Sequence, residues 1–164
     1  MAPTARLYFA TFLRVPDYAG LVFNAGLVRN GKLTHTQLAN YFAASPEFVA
    51  TYGTLDNVQF VTLLYQNILG RAPDAPGLAG WTAALDAGTY SRGQVLLGFA
   101  DSPEYRAAVA NEVFVTLAYA GMLRRAPDPA GFSAWVSLLD VGMARTAMID
   151  GFFLSTEYRG RFLP

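Results

Sequence analysis

The sequence predicts an all-α protein made of three related four-helix units, stacked as a short solenoid or packed into one globule. Three observations carry this prediction. The pattern Arg-x-Pro-Asp-x-x-Gly is written three times, as Arg14 to Gly20, Arg71 to Gly77 and Arg125 to Gly131. Setting those stretches in register aligns much more of the chain, as expected of an internal repeat. An aromatic precedes each arginine (Tyr8, Tyr65, Tyr119), and a glycine follows each motif glycine at a constant distance (Gly31, Gly88, Gly142). Each copy closes on an aromatic and Ser-x-Glu-aromatic: Phe42 with Glu47, Phe99 with Glu104, Phe152 with Glu157. Finally, no stretch shows the sustained period-two alternation of a strand. Tyr8 and Tyr65 lie 57 residues apart and Tyr65 and Tyr119 lie 54 apart, which divides the chain into units 1–55, 56–110 and 111–164.

The second unit justifies its elements in order. Val61, Leu64, Tyr65 and Ile68 form one apolar stripe, predicting a first helix from Asn57 to Leu69. Gly70 supplies its left-handed stop. Pro73 cannot continue that helix, Asp74 is a good N-cap for the next, and Pro76 falls in its first turn. Asp128 and Pro129 repeat this logic in the third unit. The second helix carries Leu78, Trp81 and Leu85 on one face, matched by Phe132, Trp135 and Leu139, and ends at Gly88 or Gly142. Thr34 with Gln37, and Ser91 with Gln94, read as capping boxes opening a third helix. Ser102-Pro103-Glu104 opens the fourth, with Ser as cap and Glu where the helix dipole favours negative charge. Tyr105 with Val109, Phe48 with Tyr52, and Tyr158 with Phe162 are expected to face inward. Asp, Pro and Gly of the motif thus read as punctuation between two helices.

Composition narrows the function. Hydrophobic residues make up 53% of the chain and charged residues 15%, with a mean hydropathy of +0.26. Much of the surface must therefore be apolar or covered by a partner. The longest uncharged apolar stretch, Val113–Leu123, is well short of the ~20 residues that a spanning helix needs. Lys plus Arg balance Asp plus Glu at 12 each, with no basic run, so nucleic acid is not expected as a partner. With no cysteine, disulfides, thiolate catalysis and cysteine-ligated metals are excluded. The first residues lack a charged segment followed by a full apolar one, so no signal peptide is read.

On these residues the chain resembles the DUF4214 family of bacterial surface and secreted proteins. The second unit carries the pattern nearly complete, as "LYQNILGRAPDAPGLAGWTAALDAG" and "FADSPEY"; the third keeps it as "AYAGMLRRAPDPAGFSAWVSLLDVG" and "FFLSTEY" with Arg124 at the glycine. The first has Leu13 there, Asn24 in place of the Trp and Val28 in place of the Leu, so it reads as a divergent capping unit. The resemblance implies a non-enzymatic helical module of exoproteins, often beside RTX-type calcium-binding repeats. Similar in style are S-layer regions that anchor to lipopolysaccharide, and phycobilisome linker domains. The implied location is extracellular or at the bacterial cell surface. The implied partner is a cell-surface glycan or a protein, with self-association as the alternative.

Catalytic motifs are lacking. The one histidine, His35, reads as a solvated loop residue, and no nucleophile elbow, P-loop or His-Glu-x-x-His occurs. No metal site or cofactor is expected: a calcium loop needs several oxygen ligands within about a dozen residues, and each motif offers Asp74 or Asp128 alone. The recurring arginines, Arg14, Arg71 and Arg125, are expected to complement helix ends and to pair with Glu47, Glu104 and Glu157. Trp81 and Trp135 sit on apolar stripes and read chiefly as core, with sugar stacking as the functional alternative. Tyr18, Tyr41 and Tyr90 fall outside the stripes, and Tyr90 near Arg92 or Tyr18 near Asp17 would suit a sugar.

Overall fold

The computed structural model describes residues 1–162, and every regular element among them is helical. The first series is α1 (Ala2–Phe12), α2 (Tyr18–Arg29), α3 (His35–Ala43) and α4 (Pro46–Tyr52). The second is α5 (Asn57–Leu69), α6 (Ala75–Asp86), α7 (Arg92–Ala100) and α8 (Pro103–Ala108). The third is α9 (Ala110–Ala118), continued by a π-helical turn over Tyr119–Leu123, then α10 (Pro129–Asp140), α11 (Arg145–Leu154) and α12 (Thr156–Phe162).

Local chemistry sets these ends. Asp17, Asp74 and Asp128 cap α2, α6 and α10 by accepting from Gly20, Gly77 and Gly131 N–H at 2.7, 2.8 and 2.8 Å. Thr34 and Ser91 form reciprocal boxes with Gln37 and Gln94, whereas Ala144 gives α11 no side-chain cap. The stop after the first helix is left-handed in all three copies. Gly70 adopts it freely, while Leu13 (φ 52) and Arg124 (φ 50) do so as non-glycine residues. Two expectations are corrected here. His35 is the first residue of α3, half-buried, and not a loop residue. The motif glycines lie inside the first turn of the second helix, not between helices.

Between helices, α3 and α7 pack on each other more extensively than any other pair. Gly93 allows it: a Cβ there would stand 2.5 Å from the Asn40 backbone nitrogen, and Gly93 N–H donates to Asn40 Oδ1 at 2.8 Å. One core therefore spans the first two units, from Leu7, Leu21 and Leu38 to Phe60, Leu64 and Leu96. Arg6 of α1 and Asp101 beyond α7 form an ion pair across it. The third unit is completed by its neighbours only in part, through Val113 and Ala120, which join that shared core. It keeps its own cluster of Val115, Tyr119, Leu139, Met148 and Phe152. It joins the rest through α9 on α1 and through Phe132, stacked on Phe9 at 6.1 Å. Tyr52, Val109 and Tyr158 are half-buried, and the side chain of Phe162 lies outside the described residues.

Candidate functional site

The triplicated motif resolves into one corner. The guanidinium of each arginine stands over the ring of the tyrosine before it: Arg14 on Tyr8 at 5.6 Å, Arg71 on Tyr65 at 5.1 Å, Arg125 on Tyr119 at 4.9 Å. Each tyrosine hydroxyl reaches across to the motif glycine, so a Cβ on Gly20 or Gly131 would meet it at 2.8 or 2.5 Å, and one on Gly77 closer still. Glycine is required there for space and not for backbone freedom. Burial pushes the hydroxyls of Tyr8 and Tyr119 above their ordinary pKa. The Asn24 amide donates to Tyr8 Oη at 2.8 Å and, like Trp135 at Tyr119, partly offsets that rise. Asn24 thus takes over the polar task of the tryptophan it replaces.

The predicted Arg–Glu pairs form in two units of three. Arg14 grips Glu47 bidentately at 2.6 and 2.9 Å, and Arg125 grips Glu157 at 2.8 and 2.9 Å. Both carboxylates are held below their usual range by these hydrogen bonds. Arg71 does not pair with Glu104; it stands 3.8 Å from Asp74 instead. Arg71 and Glu104 are both exposed, and an exposed pair contributes only about 0–1 kcal/mol; nothing in the structure explains why this one of the three stays apart. Copies with a non-glycine left-handed stop carry the fork, and the copy with Gly70 does not.

A second recurring polar cluster escaped the sequence reading. Arg92 donates to Leu55 O at 2.6 Å and Asn57 Oδ1 at 3.1 Å, and Asn57 donates to Asp86 at 2.7 Å. In the third unit Arg145 donates to Asn111 Oδ1 at 3.0 Å, and Asn111 donates to Asp140 at 2.8 Å. Each arginine also lies over an aromatic, Phe60 at 4.9 Å or Phe114 at 4.8 Å. Asn57 to Asn111 and Asp86 to Asp140 are both 54 residues apart, the signal that could have revealed them.

The candidate sugar-binding residues do not converge. Tyr90 packs edge-on against Trp81 at 5.9 Å, but Arg92 beside it is committed to Asn57 and Leu55. Trp81 is half-buried against Phe99, and Trp135 against Phe152 in the other cluster. Asp17 is engaged as a cap, and Tyr18 is half-buried against the core instead of exposed.

A different place is open. Between α2 and α3 runs a groove of about 370 Å³ lined by Phe23, Asn24, Leu27, Lys32, Leu33, Leu38, Tyr41 and Phe42. Its origin is the divergence of the first unit. Asn24 stands where Trp81 fills the second unit and Trp135 the third, so the slot is unfilled. Phe23 and Tyr41 stand where the second unit has Gly80 and Gly98. In the third unit Gly151 holds Tyr41's place, and a Cβ there would already lie 3.5 Å from the Trp135 ring. The bulk lost at one position reappears as two rings at the rim, 66% and 64% exposed. A larger cleft of about 530 Å³ lies between the first two units, mainly apolar, with Asn40 and Arg92 on its wall.

Among the described residues no three His, Asp or Glu side chains cluster to hold a metal ion, and no helix is long and apolar enough to cross a membrane. No curated protein and no solved structure matches the chain. A family model does, over residues 39–109 and again over 105–162, which together make up more than half of the sequence; its description is a domain of unknown function, DUF4214. The two matches fall on the second and third copies of the corner just described, and the chain belongs to the DUF4214 family.

Proposed function

We propose that this chain is a non-enzymatic binding or anchoring module of a bacterial surface or secreted protein, and that the groove between α2 and α3 takes a glycan. The observation that carries the reading is the pair of exposed rings, Phe23 and Tyr41, flanking the slot left by Asn24. Aromatic faces offer apolar area to the C–H face of a sugar ring. Its volume suits a small ligand, and its few polar groups suit orientation. Lys32 at the rim adds a positive charge, which favours an anionic glycan such as lipopolysaccharide core and makes binding weaken with salt.

Calorimetric titration with lipopolysaccharide-derived polysaccharide, beside a neutral polysaccharide, tests this. Binding is expected to raise Tm. Phe23→Ala and Tyr41→Ala, both at exposed positions, are each expected to weaken it about tenfold or more, the equivalent of about 1.4 kcal/mol. Unchanged affinity in both variants, or no binding across a glycan array, would overturn the reading. The alternative, a protein–protein linker or self-assembly role, predicts instead a sedimentation coefficient that rises with concentration.

A further inference from the structure

We infer that the sugar held between α2 and α3 carries an acetamido group, an assignment that rests on the glycan reading of that groove. The chemistry comes from Asn24, which lines it. The Asn24 amide nitrogen donates to Tyr8 Oη at 2.8 Å. Its other end, Oδ1, accepts no hydrogen bond among the described residues and is not sealed from solvent. Lys32, on the same wall, brings donors alone. Asn24 Oδ1 is thus the side-chain acceptor that the groove offers beneath the two rings of its rim.

That acceptor belongs to the first unit. At the equivalent place Trp81 and Trp135 present an indole, whose ring fills the space and whose N–H can only donate. Exchanging indole for amide does two things together: it vacates apolar volume, and it sets an acceptor beside the vacated volume. The walls left behind are Leu38 and Phe42, both buried, with Leu27 and Leu33, both half-buried. A ligand that suits this place needs a short apolar group and an N–H or O–H donor next to it.

An acetamido group supplies both. Its N–H donates to Asn24 Oδ1, its methyl covers Leu38 and Phe42, and the sugar ring that carries it lies against Phe23 or Tyr41. Other sugar substituents meet only part of the demand. A hydroxyl donates to Oδ1 but brings no carbon to the apolar walls. A carboxylate has no proton to give and faces the lone pairs of Oδ1. An amine carries a charge that Lys32 repels and that apolar walls desolvate. The acetamido group therefore selects which sugar enters the slot, while Lys32 favours negative charge elsewhere on the same glycan.

Calorimetric titration of the full chain with chitotriose, an oligosaccharide of N-acetylglucosamine, beside cellotriose, which has a hydroxyl in place of each acetamido group, reads this directly. Both are uncharged, so Lys32 drops out of the comparison. Chitotriose is expected to bind about tenfold tighter or more, the yield of one buried methyl and one hydrogen bond. Two variants separate acceptor from slot. Asn24→Ala leaves the slot open and removes the acceptor, and is expected to bring chitotriose down to the affinity of cellotriose. Asn24→Trp restores the residue of the other two units and fills the slot; it is expected to weaken chitotriose about tenfold or more with Tm unchanged or raised, which separates blocking from unfolding. Equal affinity for the two oligosaccharides, no binding of chitotriose, or a chitotriose affinity unchanged in either variant would each overturn the inference. Equal affinities alongside lipopolysaccharide-derived polysaccharide binding that Phe23→Ala and Tyr41→Ala weaken would sink the acetamido group and leave the glycan groove standing, whereas a chain that binds no saccharide sinks both.

Discussion

A methyl group on Gly77 would press against the hydroxyl of Tyr65, a buried ring held between Arg71 and Phe99. In an open helix, Gly→Ala stabilises by close to 1 kcal/mol. Here the sign reverses: Gly77→Ala is expected to cost about 1–3 kcal/mol in urea denaturation, because the ring has no room to retreat. Tyr65→Phe removes the oxygen and should rescue most of that loss, giving a coupling in a double-mutant cycle. The paired carboxylates give a pH-dependent test. Arg14 and Arg125 hold Glu47 and Glu157 below their usual range. A depressed carboxylate pKa adds stability above the unfolded value of ~4.3 and loses it as pH falls through the folded one. Glu47→Gln and Glu157→Gln should each cost about 0.5 kcal/mol at pH 7, a value kept small by the exposure of both pairs. The difference should close as pH drops below about 4. Glu104→Gln removes no ion pair and loses only the charge in the first turn of α8, so it should lower Tm at pH 7 by less than either of those two.

Among the elements, α3, α7 and α11 begin at equivalent positions but not equally well. Thr34 and Ser91 cap two of them, and Ala144 leaves the third without a side-chain acceptor. Ala144→Ser should therefore stabilise the chain by about 0.5–2 kcal/mol, read as a rise in Tm. The comparable Thr34→Ala and Ser91→Ala changes should destabilise by similar amounts. The second helices diverge in a different way. Trp81 and Trp135 seal α6 and α10 against Phe99 and Phe152, while α2 keeps only the hydrogen-bonding half of that job through Asn24. Losing the indole while gaining Phe23 and Tyr41 turns a packed seam into a groove.

For the whole molecule, the division into two apolar clusters sets the order of opening. The first two units share a core across α3 and α7, whereas the third relies on seven buried residues of its own and on contacts to α1. Cooperative units with few buried apolar contacts open first. In native-state hydrogen exchange, amides of α10 and α11 should exchange well before those of α1, α5 and α7. Equal protection across all of them would show that Phe9 on Phe132 and α9 on α1 weld the clusters into one unit.

What the sequence by itself determined is local. The bounds of α5, its stop at Gly70, the caps at Asp74 and Asp128 and the boxes at Thr34 and Ser91 follow from residue types within a few positions of one another, because capping and proline or glycine conformation are settled within a single turn. The Arg–Glu pairs were half legible: recurrence pointed to all three, but an exposed pair gains little by forming, and only those of Arg14 and Arg125 form. Tertiary structure alone decided that the motif glycine makes room for a tyrosine hydroxyl, that α3 and α7 merge two units while α11 stays open, and that Asn24 leaves a slot between two rings. Each of these depends on which side chain arrives from a distant helix, and close packing across that distance is fixed by shape, which no short stretch of sequence encodes.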